Sequence, residues 1–69
     1  MEMHPVTSSN LAAIGYDEDS ETLQIEFLNN TTYQYFDVPA HIFSDLLNAD
    51  SAGGYLAKHI KGHYRYSRV

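Results

Sequence analysis

Two alternating stretches joined by Asn29-Asn30 constrain the fold of this chain more than any other feature. From Thr22 the residues Leu23, Gln24, Ile25, Glu26 and Phe27 swap apolar and polar side chains one by one, the period of a half-buried β-strand. Beyond the asparagines, Thr31 to Val38 reads as the next strand, with Tyr33 and Tyr35 two apart. The role of these tyrosines depends on the length of the turn. A two-residue type I′ loop at Asn29-Asn30 pairs Phe27 with Thr32 and Ile25 with Gln34, which sends both rings to the solvent side with Gln24 and Glu26. A three-residue loop, Leu28-Asn29-Asn30 with Asn30 left-handed, sets Ile25 against Tyr33 and Leu23 against Tyr35. One residue of slip exchanges the two faces. The second register collects Leu, Ile, Phe, Tyr and Tyr on one side, and asparagine tolerates positive φ better than most residues. It is the register expected here, with Tyr33 and Tyr35 in the core; the first would leave them as an open aromatic platform.

The remaining elements follow from the same patterning. Leu11 to Tyr16 reads as a strand with Ile14 and Tyr16 on one face, and Asp17-Glu18-Asp19-Ser20-Glu21 as an acidic turn. Residues 1–5 form a lead-in and residues 6–69 one domain. Pro39 suits a helix start, and Ile42, Phe43, Leu46 and Leu47 recur at helical spacing. Asp50 or Ser51 can cap a second helix that runs to about Ile60, with Ala52, Tyr55, Leu56 and Ile60 as its apolar stripe. Gly53 and Gly54 permit a close backbone approach there, and Gly62 is a natural stop. Tyr64 to Val69 alternates, as a short extra strand or a loose arm. The expected fold is α+β: a three-stranded antiparallel meander covered by two short helices, ending in a basic, aromatic segment.

With 69 residues and no cysteine, the fold has neither disulfides nor thiolate metal sites to lean on. No apolar run approaches the roughly 20 residues of a membrane span, and Met1-Glu2-Met3-His4-Pro5 is no signal-peptide core, so a cytoplasmic location without membrane partners is expected. Net charge is −5, which argues against nucleic acid, but its distribution is uneven. All nine acidic residues lie within residues 1–50, and all four basic ones, Lys58, Lys61, Arg65 and Arg68, lie after them. Interleaved with Tyr64 and Tyr66, these cations form the candidate RNA-binding set, since cations neutralise phosphates and tyrosines stack on bases. The more conservative reading packs Tyr64 on the sheet edge and pairs the arginines with the acidic turn.

Other constellations are weaker. His59 and His63 stand four apart, a metal-compatible spacing, yet Gly62 interrupts the helix between them, so a partly buried structural His59 is expected and no metal. His4 and His41 read as surface residues. The acidic run lacks the spacing and terminal glutamate of a calcium loop. No nucleophile motif or phosphate-cradling glycine loop is present, so neither catalysis nor a cofactor is expected. The rival to RNA binding is a protein-interaction or homodimer surface on the outer sheet face, around Phe36 and Leu28.

Ser8-Ser9-Asn10, Gly15-Tyr16-Asp17, the Leu23/Ile25/Phe27 strand, Tyr33-Gln34-Tyr35, Val38-Pro39, Ser51 with Gly53 and Tyr55, and the closing Tyr64-Arg65-Tyr66-Ser67-Arg68-Val69 together resemble the KTSC domain family. The resemblance runs from about Val6 to Val69. That family is named for an extension at the C-terminus of some lysyl-tRNA synthetases and also occurs as small free-standing bacterial and phage proteins. It tends to carry glycine where this chain has Asn30, which agrees with a positive-φ turn. For function the resemblance implies a small binding module of unassigned role, with RNA (tRNA or single-stranded) suggested by the synthetase context alone.

Overall fold

The computed structural model describes residues 1–69. Five strands cross one antiparallel sheet in chain order: β1 (Met3–Pro5), β2 (Leu11–Asp17), β3 (Thr22–Phe27), β4 (Thr32–Tyr35) and β5 (Tyr66–Arg68). The expected meander is therefore the middle of a larger sheet. Strand β1 lies in the stretch read as a lead-in, pairing Met3 with Gly15 and Pro5 with Ala13. Proline supplies no N–H to a ladder, and at a sheet edge none is missed.

The β3–β4 turn takes the three-residue form. Leu23 pairs with Tyr35 and Ile25 with Tyr33, Asn30 has φ 69°, and the Phe27 amide donates to the Thr31 carbonyl at 2.9 Å. Asn29 braces the loop by accepting from the Thr31 amide and hydroxyl at 3.2 and 2.6 Å. The register shift between Leu11 and Ala13 is a bulge. The extra residue lets both Leu11 and Ile14 reach the core face, where strict alternation would have turned one of them out.

Helix α1 (Ala40–Asn48) and helix α2 (Ala52–Tyr55) cover that face, and α2 runs straight into a π-helical segment, Leu56–Ile60. Ser51 is the N-cap of α2, its hydroxyl accepting from the Gly54 amide at 3.0 Å. The wider turn ends with the Lys61 amide donating to the Leu56 carbonyl at 2.8 Å, and Gly62 reverses the chain at φ 82°. Gly53 has a different role from the one expected: it faces the Asn10 carboxamide rather than another backbone. Ten side chains form the sealed core, with Ile14, Leu23, Ile25 and Tyr35 from the sheet meeting Leu46, Leu56 and Ile60 from the helices. Tyr16 joins this layer at its rim, stacked on Phe43 at 5.2 Å and donating its hydroxyl to the Val38 carbonyl at 2.5 Å.

Candidate functional site

The helical layer is narrower than the sheet. Over Ile14, Leu23 and Ile25 of β2 and β3 the inner face is sealed; toward β4 and β5 it opens. Tyr35 is 2 % exposed, whereas Tyr33, on the same face two residues earlier, is half-buried and Tyr66 is 61 % exposed. The sequence pattern gave the two tyrosines one environment, and the structure gives them two. Tyr35 belongs to the core. Tyr33 is a core-edge ring whose other side faces a groove.

Strand β5 completes this groove. Its register sets Tyr66 opposite Tyr35 and Arg68 opposite Tyr33, so Tyr66 and Arg68 share the inner face. The Tyr66 ring lies 5.6 Å from Tyr33, near-parallel at 26°, and 5.7 Å from Tyr35. Such offset ring pairs are favourable and stiff. Tyr33, Tyr35, Tyr66, Lys61 and Gly62 line a hollow of about 430 Å³, within the range of small-ligand pockets. Burial, and then the neighbouring phenols of Tyr33 and Tyr66, raise the Tyr35 pKa above its ordinary 10.0. Tyr35 therefore stays neutral at physiological pH.

The six residues singled out from the sequence do not stay together. Lys61 and Tyr66 line the groove and Arg68 shares its face. Arg65 is elsewhere: its guanidinium bonds the Asp37 carboxylate at 2.9 Å and lies 5.6 Å from the Phe36 ring centre. An arginine pairing with an acid was one reading of the tail, but the partner is Asp37 and not the turn at 17–21. Tyr64 packs against the core and is withdrawn from the stacking set. Lys58 is exposed on the π-helical segment, outside the groove lining.

Electrostatically the sheet has two unlike ends. Asp17, Glu18, Asp19 and Glu21 lie around the β2–β3 turn, and the Val38 amide donates to the Glu21 carbonyl, bringing Asp37 to the same end. The opposite end carries the Asn29-Asn30 loop, where the Leu28 amide donates to the Asn10 carbonyl and the Val69 amide to Thr32. Much of the acidic charge that argued against a polyanion is thus remote from the loop end.

Two histidine expectations change. His59 is exposed, its ring 4.5 Å from Tyr55, rather than partly buried in the helix stripe. His4 is half-buried, 5.8 Å from Phe43, because β1 carries it onto the inner face. Nor do Phe36 and Leu28 form one outer patch. Leu28 is 57 % exposed at the loop end, and Phe36 lies under Arg65 at the acidic end.

Tyr33 is the groove residue that pattern reasoning missed as a surface group, because alternation reports which face a side chain occupies and not what covers it.

The sequence model of the KTSC domain matches residues 7–64. A protein of Tsukamurella paurometabola is 40% identical over 63 residues, spanning 91% of this chain and 94% of that one. A lysine–tRNA ligase of Nostoc sp. is 38% identical over 61 residues, 88% of this chain but 11% of the ligase. Among solved structures, a KTSC domain protein from Yersinia pestis superimposes with a TM-score of 0.95 at 35% identity, covering 99% of this chain and 96% of that one.

Proposed function

The chain belongs to the KTSC domain family, and from that premise we propose that it is a non-catalytic binding module that takes single-stranded RNA on the tyrosine groove of β4 and β5. One observation carries the reading: the helices leave Tyr33 and Tyr66 stacked and accessible, with Lys61 beside them and Arg68 on the same face. Base-on-tyrosine stacking tolerates any base, and two nearby cations suit a phosphate backbone. The presence of a related segment within lysine–tRNA ligases supports RNA as the polymer. This groove replaces the whole basic tail as the contact surface, since Arg65 is engaged with Asp37 and Tyr64 with the core.

The test is a titration of isotope-labelled protein with tRNA and with single-stranded RNA at low and physiological salt. Amide shifts are expected at Tyr33, Lys61, Gly62 and Tyr66 to Arg68, and Tyr66→Ala should weaken binding roughly tenfold, about the contribution of one stacked base. With two phosphate contacts, log K should fall against log salt with a slope of about −1.4. Absence of any shift at low salt refutes the reading. Salt-insensitive self-association would favour the protein-interaction alternative.

A further inference from the structure

Lys61 borders two hollows. Besides the tyrosine groove it lines a second one, of about 400 Å³, whose other walls are Ser9, Asn10, Phe27, Leu28 and Asn29. The two are joined through Phe27, which meets Tyr33 edge-on at 5.7 Å and 80°. An aromatic row, Tyr66–Tyr33–Phe27, therefore runs from one hollow to the next, with a single ammonium group beside both. Leu28 extends the apolar surface and is 57 % exposed, although its position in a tight turn demands no leucine.

Hydrogen bonding fixes the polar character of the second hollow. The Asn29 side-chain oxygen is occupied by the Thr31 amide and hydroxyl, and the Asn10 oxygen accepts from the Ser8 hydroxyl at 3.0 Å. Both asparagine NH₂ groups are uncommitted, while the Asn29 oxygen already accepts two bonds and the Asn10 oxygen one, so the pair offers more donor than acceptor capacity. A ligand edge rich in carbonyl oxygens suits such a wall better than an amino-rich one. The second hollow lies at the loop end, away from the acidic β2–β3 turn.

We infer that the tyrosine groove and the Asn10–Phe27–Leu28–Asn29 hollow are consecutive nucleotide sites, with Lys61 between them to take the phosphate that links two nucleotides. This rests on the RNA reading and sharpens it: the module recognises a dinucleotide step, with a carbonyl-rich base such as uracil in the second site. Lys61 is then the cation whose position matters most, since it serves both sites while Arg68 serves one.

The probes are uridine monophosphate, the uridine dinucleotide and a uridine tetranucleotide, titrated into labelled protein at low salt. The dinucleotide is expected to bind about tenfold more tightly than the monophosphate, the increment of one further stacked base. It should shift the amides of Asn10, Leu28 and Asn29 together with those of Lys61 and Tyr66. Leu28→Asp should erase that gain, so that the dinucleotide binds no more tightly than the monophosphate. Leu28 is exposed, so this variant folds; amide dispersion matching the parent checks that it has. Shifts confined to the tyrosine groove, or equal affinity for all three probes, would overturn the two-site inference while leaving RNA binding standing. Failure of all three, and of longer single strands, would overturn the RNA reading itself.

Discussion

Truncating the two central tyrosines separately tests whether coverage by the helices, rather than strand register alone, sets their roles. Tyr35 is 2 % exposed, with Leu23 as its direct pairing partner. An aromatic side chain buries about 150–250 Å², which at about 25 cal/mol per Å² corresponds to roughly 4–6 kcal/mol as an upper bound. Aromatic-to-alanine changes in cores cost about 3–5 kcal/mol, so Tyr35→Ala should fall in that range. Tyr33 keeps one face open to the groove and packs against the core edge, Phe27 and Tyr66 with the other, so Tyr33→Ala should cost roughly half as much, about 1.5–2.5 kcal/mol. The difference matters because a domain of this size has only about 3–10 kcal/mol in total. The assay is urea unfolding followed by circular dichroism, with unchanged m-values as the condition for comparing free energies. Tyr35→Leu keeps the comparison measurable should the alanine variant lack a folded baseline. Tyr35→Phe should cost less than about 1 kcal/mol, since the Tyr35 hydroxyl makes no hydrogen bond within the chain. Equal costs for Tyr33→Ala and Tyr35→Ala, or a Tyr35→Ala cost below about 1.5 kcal/mol, would refute the reasoning.

Asn30 has φ 69°, so Asn30→Ala should destabilise by about 1 kcal/mol while Asn30→Gly should be neutral or stabilising; paired thermal melts check the ordering. Ser51→Ala removes the acceptor for the Gly54 amide and should cost about 1 kcal/mol, read by urea unfolding. Alkali should unfold the domain. Burial, ahead of nearby negative charge, raises the Tyr16, Tyr35 and Tyr55 pKa values above 10.0, so their contribution is intact below the unfolded phenol pKa and is lost as pH rises through the folded values. A pH series should show stability falling above about pH 10, together with phenolate absorbance; flat stability there would contradict the burial of Tyr35.

Local rules carried much of the fold. The hairpin register was legible because only one loop length puts Leu23, Ile25, Phe27, Tyr33 and Tyr35 on a common face. The helix over Ile42 to Leu47, the Ser51 cap and the Gly62 stop follow from 3.6-residue spacing and terminal chemistry, which act within a few residues. Strand β1 was not legible: Met3-His4-Pro5 has no alternation, and it is a strand only because β2 offers an edge. The π-helical turn at Leu56–Ile60 has no sequence signature either.

The candidate site divides along the same line. By itself the sequence determined that every cation falls in the last twelve residues, that Tyr33 and Tyr35 share a face, and that no cysteine chemistry is available. Only the tertiary structure decided which of those residues meet. Pairing of β5 with β4 put Tyr66 and Arg68 on the groove side and gave Arg65 to Asp37, while the limited span of the helices buried Tyr35 and left Tyr33 at an open edge. Alternation specifies the side of a sheet, a local property of the backbone. What lies over that side depends on where distant segments pack, and contacts such as Tyr33 with Tyr66, or Lys61 between two hollows, join residues whose proximity no local spacing encodes.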